Sequence, residues 1–235
     1  MKAYQLNFRL GQRVYPSDAR ATTAAMLDKF QPGIVGALMH YCKTEKGNEP
    51  ANGFPPVHFA GLSDGFSLVG FGDLGEMILQ DSYAAITRAW ADKLSVGVTL
   101  DSREIAVGIE PRPYNMSYTI PRVVIQKKPW HLEELKDPQK GPAFVEKLLL
   151  RCINTQAEFL GLELPSDIKI AFRGCTGTFA AKLGHGTAAL AGMKNLEFEA
   201  NICLKGMWSF GFIVSKGYGL LNADMARGGL LNASA

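Results

Sequence analysis

The pattern of hydrophobic and polar positions predicts a succession of strands and helices that begins near the amino terminus. Apolar side chains occupy every second position from Tyr4 to Leu10, which indicates a strand with one buried face. A helix is predicted after it, because Ser17 or Asp18 can cap a helix that runs to about Phe30, where a Pro-Gly pair follows. The chain therefore starts with a strand and a helix.

Further elements follow the same reasoning. A helix is predicted from Asp73 to Lys93, with an apolar stripe formed by Met77, Ile78, Tyr83, Ile86 and Trp90. Another helix is predicted from about Pro142 to Leu160, because proline suits a first turn and a glycine follows the end. Residues 43–56 are polar and rich in turn formers, so they predict a long exposed loop. The alternation of side chains predicts strands at Val57–Leu62, Phe66–Gly70, Ser95–Leu100, Arg103–Glu110, Tyr118–Gln126, Asp167–Phe172, Asn195–Leu204 and Phe210–Leu221.

The order of these elements indicates the fold class. Strands and helices are mixed without a regular βα alternation, which favours an α+β fold with antiparallel sheets over a doubly wound parallel sheet. Two ferredoxin-like (RRM-like) units in tandem fit the length of 235 residues. We place the first domain at residues 1–110 and the second at residues 111–235.

Composition limits the class of protein. Hydrophobic residues make up 47% of the chain and the mean hydropathy is +0.01, as in a globular protein. No run approaches the roughly 18 apolar residues that span a membrane, and the first residues are too polar for a secretory signal, so we expect a cytoplasmic protein without membrane association. The four cysteines and four histidines show no metal-ligand spacing, so we expect no metal site and no cofactor.

Charge is distributed unevenly, although the formal net charge is only +3. Residues 1–110 carry 10 Lys and Arg against 12 Asp and Glu, whereas residues 111–194 carry 12 against 7. The basic segment includes Arg112, Arg122, Lys127 and Lys128, with Trp130 nearby. Basic side chains interleaved with aromatic ones can follow a phosphate backbone and stack on bases, but solvated surface charge explains the same pattern.

Familiar nucleotide and hydrolase motifs are missing from the sequence or incomplete. No GxSxG elbow and no GxxxxGK[ST] phosphate loop occurs. Gly70, Gly72 and Gly75 match the spacing of a GxGxxG fingerprint, but no acidic residue follows in a clear second βα unit. Dinucleotide binding is therefore not favoured.

Two sets of residues are candidates for catalysis. His40, Tyr41 and Lys43 lie at a helix-to-loop junction and can supply an acid or base and neutralise a phosphate, as metal-independent cleavage of RNA by its own 2′-hydroxyl requires. A histidine favoured by the helix dipole, beside solvated lysines, is the structural alternative. Arg20 lies in the first turns of the first helix, against the dipole, which indicates either a phosphate contact or a salt bridge with Asp18.

Residues 206–221, GMWSFGFIVSKGYGLL, read as a strand interrupted by glycines. Glycine in a strand marks a bulge or a site where a ligand comes close, so the backbone around Gly211, Gly217 and Gly219 can admit RNA, with Lys216 for phosphate and Tyr218 for stacking. A bulged hairpin is the alternative. His185 lies in a second glycine-flanked segment, KLGHGTAALAG, that can contact RNA or simply turn.

These features together resemble the RAMP superfamily of CRISPR-associated proteins, in particular its crRNA-processing endoribonucleases, and most of all the type IV processing enzymes. GFIVSKGYGLL is similar to the glycine-rich loop of that superfamily, and YQLNFRL, ARATTAAMLDKF, MHY and FPPVHFAGL are similar to its first domain. The resemblance implies tandem ferredoxin-like domains and places His40 and Tyr41 nearest to the catalytic position. Some relatives rely on arginines instead, which makes Arg20 and Arg227 further candidates.

The resemblance also implies an activity. It implies cleavage of CRISPR repeat RNA at the base of a hairpin, without a metal ion, to leave a 2′,3′-cyclic phosphate and a 5′-hydroxyl. The enzyme would stay bound to the crRNA hairpin and join other CRISPR effector subunits. Two alternatives remain open: a non-catalytic RAMP subunit that binds crRNA within an effector complex, and a small-molecule enzyme of ferredoxin-like fold, which would show no salt-sensitive affinity for RNA.

Overall fold

A computed structural model describes residues 1–30, 32–44, 47–95, 97–127, 129–181 and 189–224. The chain forms two compact units that are not continuous in sequence. The amino-terminal unit contains Lys2–Ile105 and the short segment Ser215–Gly217. The carboxyl-terminal unit contains Met1, Ala106–Val214 and the residues from Tyr218 onward.

The amino-terminal unit has the ferredoxin-like arrangement. Its elements are β1 (Lys2–Arg9), α1 (Pro16–Phe30), α2 (Pro32–Met39), β2 (Tyr41–Thr44), β3 (Gly47–Pro50), β4 (Val57–Leu62), β5 (Gly65–Phe71), α3 (Gly72–Leu94) and β6 (Thr99–Ala106). The main sheet has the order β4-β5-β1-β6, so β1 lies in the interior of the sheet between β5 and β6. Strands β1 and β4 both pair antiparallel with β5. This order, with one helical connection after β1 and another after β5, confirms the α+β prediction.

Aromatic side chains dominate the core of this unit. The rings of Phe8 and Phe66 stack with centroids 4.9 Å apart, and the buried Trp90 donates a hydrogen bond of 3.0 Å to Thr23 Oγ1. The apolar stripe predicted for α3 is only partly correct, because Met77 and Tyr83 are exposed. The helix instead buries residues at intervals of four, including Ile78, Ser82, Ile86 and Trp90.

The long loop predicted for residues 43–56 is wrong in its first half. Strands β2 and β3 pair antiparallel there, with Tyr41 opposite Pro50 and Thr44 opposite Gly47. The strands are four residues each and polar, so neither carries the hydrophobic alternation by which a strand is recognised.

Gly70 and Gly75, which match part of a dinucleotide fingerprint, have a packing role. A Cβ on Gly70 would lie 2.6 Å from the carbonyl oxygen of Gly75, and a Cβ on Gly75 would lie 2.7 Å from the carbonyl oxygen of Pro56. Both glycines therefore permit β5 and α3 to approach each other closely.

The carboxyl-terminal unit is built around one long antiparallel pair of strands. Its elements are β7 (Gly108–Val124), α4 (Pro129–Lys136), α5 (Lys140–Leu160), β8 (Ile170–Gly174), β9 (Gly177–Ala181), β10 (Leu190–Lys205), β11 (Met207–Ser209) and β12 (Leu220–Asn222). The sheet has the order β7-β10-β8, β9 also pairs with β10, and β11 pairs with β12. Helix α5 ends at Leu160 and is capped by Gly161, which adopts a positive φ of 62°, as the glycine after the predicted helix end indicates. No helix in the described part of the chain is long and apolar enough to cross a membrane.

The strand predicted at Phe210–Leu221 is wrong. Only Leu220–Asn222 is a strand, and Val214–Lys216 form one turn of 3-10 helix. Gly211, Gly217 and Gly219 have φ values of 79°, 86° and 73°, which are incompatible with an extended strand. The glycines therefore shape a loop rather than interrupt a strand.

Candidate active site

Arg20 is held at the end of helix α2 by a backbone contact. Its Nη2 donates a hydrogen bond of 2.6 Å to the carbonyl oxygen of Met39. The side chain is half-buried, and its Nε is buried without a hydrogen-bond partner in the described part of the chain. Burial lowers the pKa of Arg20, and the nearby Tyr41 acts in the opposite direction. An arginine in this setting stays charged at neutral pH, so it provides a fixed positive charge.

His40 follows the last residue of α2 in a left-handed conformation, with φ of 51°. Its carbonyl oxygen accepts a hydrogen bond of 3.0 Å from Ala51, which ties the helix end to the chain after β3. Burial lowers the pKa of His40 more than any other cause, and the charge of Arg20 lowers it further. A hydrogen bond with the backbone of Gly53 raises this pKa in part. The imidazole is therefore neutral at neutral pH. Its Nε2 is buried and has no hydrogen-bond partner among the described residues.

Tyr41 is the first residue of β2 and is half-buried. Burial raises the pKa of Tyr41, the carboxylate of Asp28 raises it further, and Arg20 lowers it. The phenol therefore keeps its proton and is a hydrogen-bond donor. Lys43 lies in the same strand, and its side chain is outside the described part of the structure.

Lys216 reaches this cluster from a distant part of the sequence. The segment Ser215–Gly217 belongs to the amino-terminal unit, where Gly217 lies against the start of α1 and against β4. A Cβ on Gly217 would lie 2.7 Å from Pro16 Cγ and 2.8 Å from the carbonyl oxygen of Phe59, so only glycine fits. Burial lowers the pKa of Lys216, and the charge of Arg20 lowers it as well.

The structure thus brings His40, Tyr41 and Lys216 each within electrostatic range of Arg20 in the amino-terminal unit. We name these four residues the Arg20 cluster. Two cations near each other in a half-buried site repel, and that repulsion is relieved when an anion binds between them. A neutral imidazole, a protonated phenol and two cations form a set that can bind a phosphate and move a proton.

A second group of predicted residues meets in the carboxyl-terminal unit. The guanidinium carbon of Arg122 lies 4.4 Å from the centre of the Phe179 ring, and Phe179 stacks on Tyr218 with centroids 5.6 Å apart and planes 15° apart. The backbone holds this stack in place, because Gly219 donates a hydrogen bond of 2.6 Å to the carbonyl of Arg122. A Cβ on Gly219 would overlap the carbonyl oxygen of Phe210. We name Arg122, Phe179 and Tyr218 the aromatic stack. The sequence analysis missed Phe179, because its position near Arg122 depends on the pairing of β9 with β10.

Gly211 also has a structural reason for its identity. Its amide lies 3.2 Å from Cys152 Sγ on α5, and a Cβ would overlap the carbonyl oxygen of Val124. The tight fit joins the glycine-rich segment to α5 and β7. Its amide is thus already engaged within the protein.

The remaining predicted RNA contacts are dispersed. Arg112 donates a hydrogen bond of 3.1 Å to Glu110, which also pairs with Lys205, so its charge is partly neutralised. Lys127 is exposed. Lys128, His185 and Arg227 lie outside the described residues.

We find no group of three or more metal-ligating His, Cys, Asp or Glu side chains among the described residues. His58 is fully buried against Phe54 and Phe71, with ring centroids 5.2 and 4.9 Å away. Burial lowers the pKa of His58 to about 3, so it is a neutral core residue rather than a ligand or a base.

The chain is similar to known proteins both in sequence and in fold. Residues 1–226 match the model of a family described as type IV CRISPR-associated endonuclease Csf5. Among solved structures, the chain is similar to one described as Csf5, a CRISPR-Cas type IV Cas6 crRNA endonuclease, with a TM-score of 0.68 and 18% identity over 94% of this chain and 99% of that chain. It is also similar to a crystal structure of Cas6b, with a TM-score of 0.66 and 14% identity over 94% of this chain and 100% of that chain. No curated protein matches the chain. At these identities the structural likeness shows a shared fold.

Proposed function

Since the chain belongs to the family of type IV CRISPR-associated endonucleases, we propose that it cleaves CRISPR repeat RNA at a hairpin, without a metal ion, to produce mature crRNA. The observation that supports this reaction is the Arg20 cluster, where two cations, a neutral imidazole and a protonated phenol converge in one unit. The enzyme then keeps its hairpin product and carries it to other CRISPR effector subunits.

The proposed reaction needs no external nucleophile. The 2′-oxygen of the RNA attacks the adjacent phosphorus and loses its proton to a base. The bond from phosphorus to the 5′-oxygen of the next nucleotide breaks, and that oxygen takes a proton from an acid. The products are a 2′,3′-cyclic phosphate and a 5′-hydroxyl, and negative charge accumulates on the phosphate oxygens during the step.

We assign the base to His40, because its lowered pKa keeps the imidazole neutral at the pH of the cell. The Nε2 of His40 has no hydrogen-bond partner in the described part of the chain, and the 2′-hydroxyl would supply one. We assign the acid to Lys216, because its lowered pKa makes the ammonium group a stronger acid than an ordinary lysine. Arg20 stabilises the charge that develops on the phosphate, and Tyr41 donates a hydrogen bond to it.

RNA binding extends to the carboxyl-terminal unit in this proposal. Arg122 and Tyr218 of the aromatic stack present a cation and an aromatic surface together, which is how unpaired bases are held. Lys127 and Lys128 would add phosphate contacts. Retention of the hairpin product would depend on such contacts rather than on the reaction itself.

A second function is supported by the burial of the proposed base. The Nε2 of His40 exposes less than 1 Å² in this structure, so a 2′-hydroxyl could reach it only if the surrounding side chains moved. A non-catalytic subunit that binds crRNA within an effector complex would need the cations and the glycine-rich segment, but no accessible base.

One experiment separates the two functions. Purified protein is incubated with a labelled repeat RNA in EDTA, and the products are resolved on a gel and tested for a cyclic phosphate. Cleavage at one position supports the nuclease, whereas binding without cleavage supports the non-catalytic subunit. Loss of cleavage in EDTA that magnesium restores would refute the metal-independent mechanism.

Variants then test the roles. We expect Arg20→Ala and His40→Ala each to reduce single-turnover cleavage by at least 100-fold, in the range reported for loss of an electrostatic stabiliser or a general base. Lys169→Ala is a matched control, since that side chain is exposed and far from α1 and α2 in sequence. Unchanged cleavage in both Arg20→Ala and His40→Ala would exclude these residues from catalysis.

A further inference from the structure

We propose that the groove between helices α4 and α5 binds an unpaired nucleotide of the RNA that flanks the hairpin. The inference rests on the proposed function, because it assumes that the natural ligand is RNA. It concerns a site that is separate from the Arg20 cluster and from the aromatic stack. The groove has a volume of 790 Å³, which is within the range of small-molecule pockets.

One face of α5 forms the floor of the groove. Phe144, Lys147, Arg151 and Asn154 line it at spacings of three and four residues, so they form one stripe. The opposite face of α5 contains Val145, Leu149 and other residues that are buried in the core. Lys147, Arg151 and Asn154 of this stripe are exposed, and Phe144 packs against His131 with ring centroids 5.1 Å apart.

Aromatic rings form the wall. Trp130 is 54% exposed, and its ring stands edge-on to that of His131 at 6.0 Å between centroids. His131 stacks in turn on Phe212 of the glycine-rich segment, with centroids 5.6 Å apart and planes 19° apart. The backbone amide of Lys127 donates a hydrogen bond of 3.1 Å to His131 Nδ1, which fixes the orientation of this imidazole ring. A large indole, exposed and held beside an ordered stack, offers a flat face to a base.

The charges of the groove favour a nucleic acid. The lining contains three cations, Lys140, Lys147 and Arg151, and one acidic residue, Glu134. Lys140 pairs with Asp137 at 3.5 Å, while Lys147 and Arg151 are exposed. The guanidinium carbon of Arg151 lies 5.5 Å from the centre of the Phe212 ring. Aromatic faces combined with cations bind single-stranded RNA through stacking and phosphate contacts.

The test uses three synthetic RNAs: a blunt hairpin, the same hairpin with a single-stranded hexauridylate tail, and the same hairpin with a tail of six abasic nucleotides. Binding is measured by fluorescence anisotropy at fixed salt. We expect the uridine tail to improve affinity over the abasic tail by roughly 5- to 150-fold, which corresponds to about 1–3 kcal/mol for a stacked base. Trp130→Ala should remove that gain and leave the affinity for the blunt hairpin unchanged, whereas Trp130→Phe should keep part of it.

Intrinsic fluorescence gives an independent signal. The other two tryptophans, Trp90 and Trp208, are buried, so quenching by the uridine tail reports on Trp130. Arg151→Ala should weaken binding of both tails and reduce the salt dependence of their binding. The matched controls are Tyr114→Ala, an exposed aromatic residue on β7, and Lys169→Ala, an exposed cation outside the groove.

The outcomes distinguish this inference from the proposed function. The inference would be overturned if Trp130→Ala kept the higher affinity for the uridine tail, or if the abasic tail raised the affinity by the same factor. Either result would leave the proposed cleavage of the hairpin unaffected. Free hexauridylate that quenches Trp130, in a protein that binds no hairpin, would support the groove and overturn the proposed function. RNA affinities that no groove variant changes would show that the groove does not bind RNA.

Discussion

Replacement of Gly217 by alanine tests how the glycine-rich segment is attached to the amino-terminal unit. Gly217 has φ of 86°, and its Cα faces Pro16 and the carbonyl oxygen of Phe59. A positive φ costs an L-residue about 1–2 kcal/mol. The added methyl group would also lie 2.7–2.8 Å from Pro16 Cγ and the Phe59 oxygen, which is closer than real Cβ contacts, and overpacking of this kind costs about 1–3 kcal/mol.

Gly11 provides the matched control. Its φ is 69°, and a Cβ built on it would have no atom within 4 Å. Gly11→Ala therefore carries the cost of the positive φ without the overlap. We expect a free energy of unfolding that is lower by about 1–2 kcal/mol for Gly11→Ala and by about 2–5 kcal/mol for Gly217→Ala.

Urea denaturation followed by circular dichroism measures the difference. With an m-value of about 2 kcal/mol/M, an extra loss of about 2 kcal/mol lowers the urea midpoint by about 1 M. If the two variants lose the same stability, Gly217 does not pack as the structure shows. Since Lys216 precedes this residue, the Gly217 variant should also lose cleavage activity, while the Gly11 variant should retain it.

Four further predictions follow from single residues. Arg20→Lys keeps the charge but not the guanidinium fork, so we expect it to retain more cleavage activity than Arg20→Ala and less than the wild type, with similar urea midpoints as the check on folding. Because the pKa of His40 is lowered, single-turnover cleavage should rise with pH through a pKa below 6.5, and it should fall again at alkaline pH through a pKa below 10.5, where Lys216 loses its proton. A rise with its midpoint above pH 6.5 would contradict the assignment of His40. Gln156→Leu leaves two backbone groups of β11 unpaired, so it should lower the free energy of unfolding by about 2 kcal/mol or more, measured in urea beside the isosteric Gln156→Glu. The imidazole of His58 takes up a proton below about pH 6.5 in the unfolded state, but only below about pH 3 in the folded state, so the free energy of unfolding falls as the pH drops from 6.5 to 3. In His58→Phe, the melting temperature measured at pH 6.5 and at pH 5 should therefore differ less than it does in the wild type.

Local patterns predict the two long helices well. Helix α3 is expected at Asp73–Lys93 and observed at Gly72–Leu94, and α5 is expected to end at Leu160 and does so. These helices have apolar residues at helical spacing and a proline or glycine near an end, so the local sequence is enough to recognise them. The hairpin of β2 and β3 lacks a periodic apolar pattern; its two ends are joined by the hydrogen bond from Ala51 to His40, a contact that the local sequence pattern does not show.

The candidate site depends on contacts that a sequence does not contain. Arg20 and His40 are separated by one helix, and their proximity follows from the contact of Arg20 with the end of α2. Lys216 is nearly 200 residues away from Arg20 in sequence, so only the resemblance of the glycine-rich segment to a known loop connects the two before the fold is known. The sign of each pKa shift depends on burial, which is also set by the tertiary structure.

The segment Ser215–Gly217 gives the amino-terminal unit a discontinuous sequence. A fragment that ends at Ile105 would contain the main sheet except for the last residue of β6. It would lack Lys216 and leave the surface of Pro16 and Phe59 uncovered. Limited proteolysis between β10 and the end of the chain should therefore inactivate the enzyme without melting the first sheet. A synthetic peptide that spans the glycine-rich segment is then the natural reagent for restoring activity in trans. If Lys216 serves the reaction as we propose, the amino-terminal unit reaches its catalytic form only after the glycine-rich segment has been synthesised.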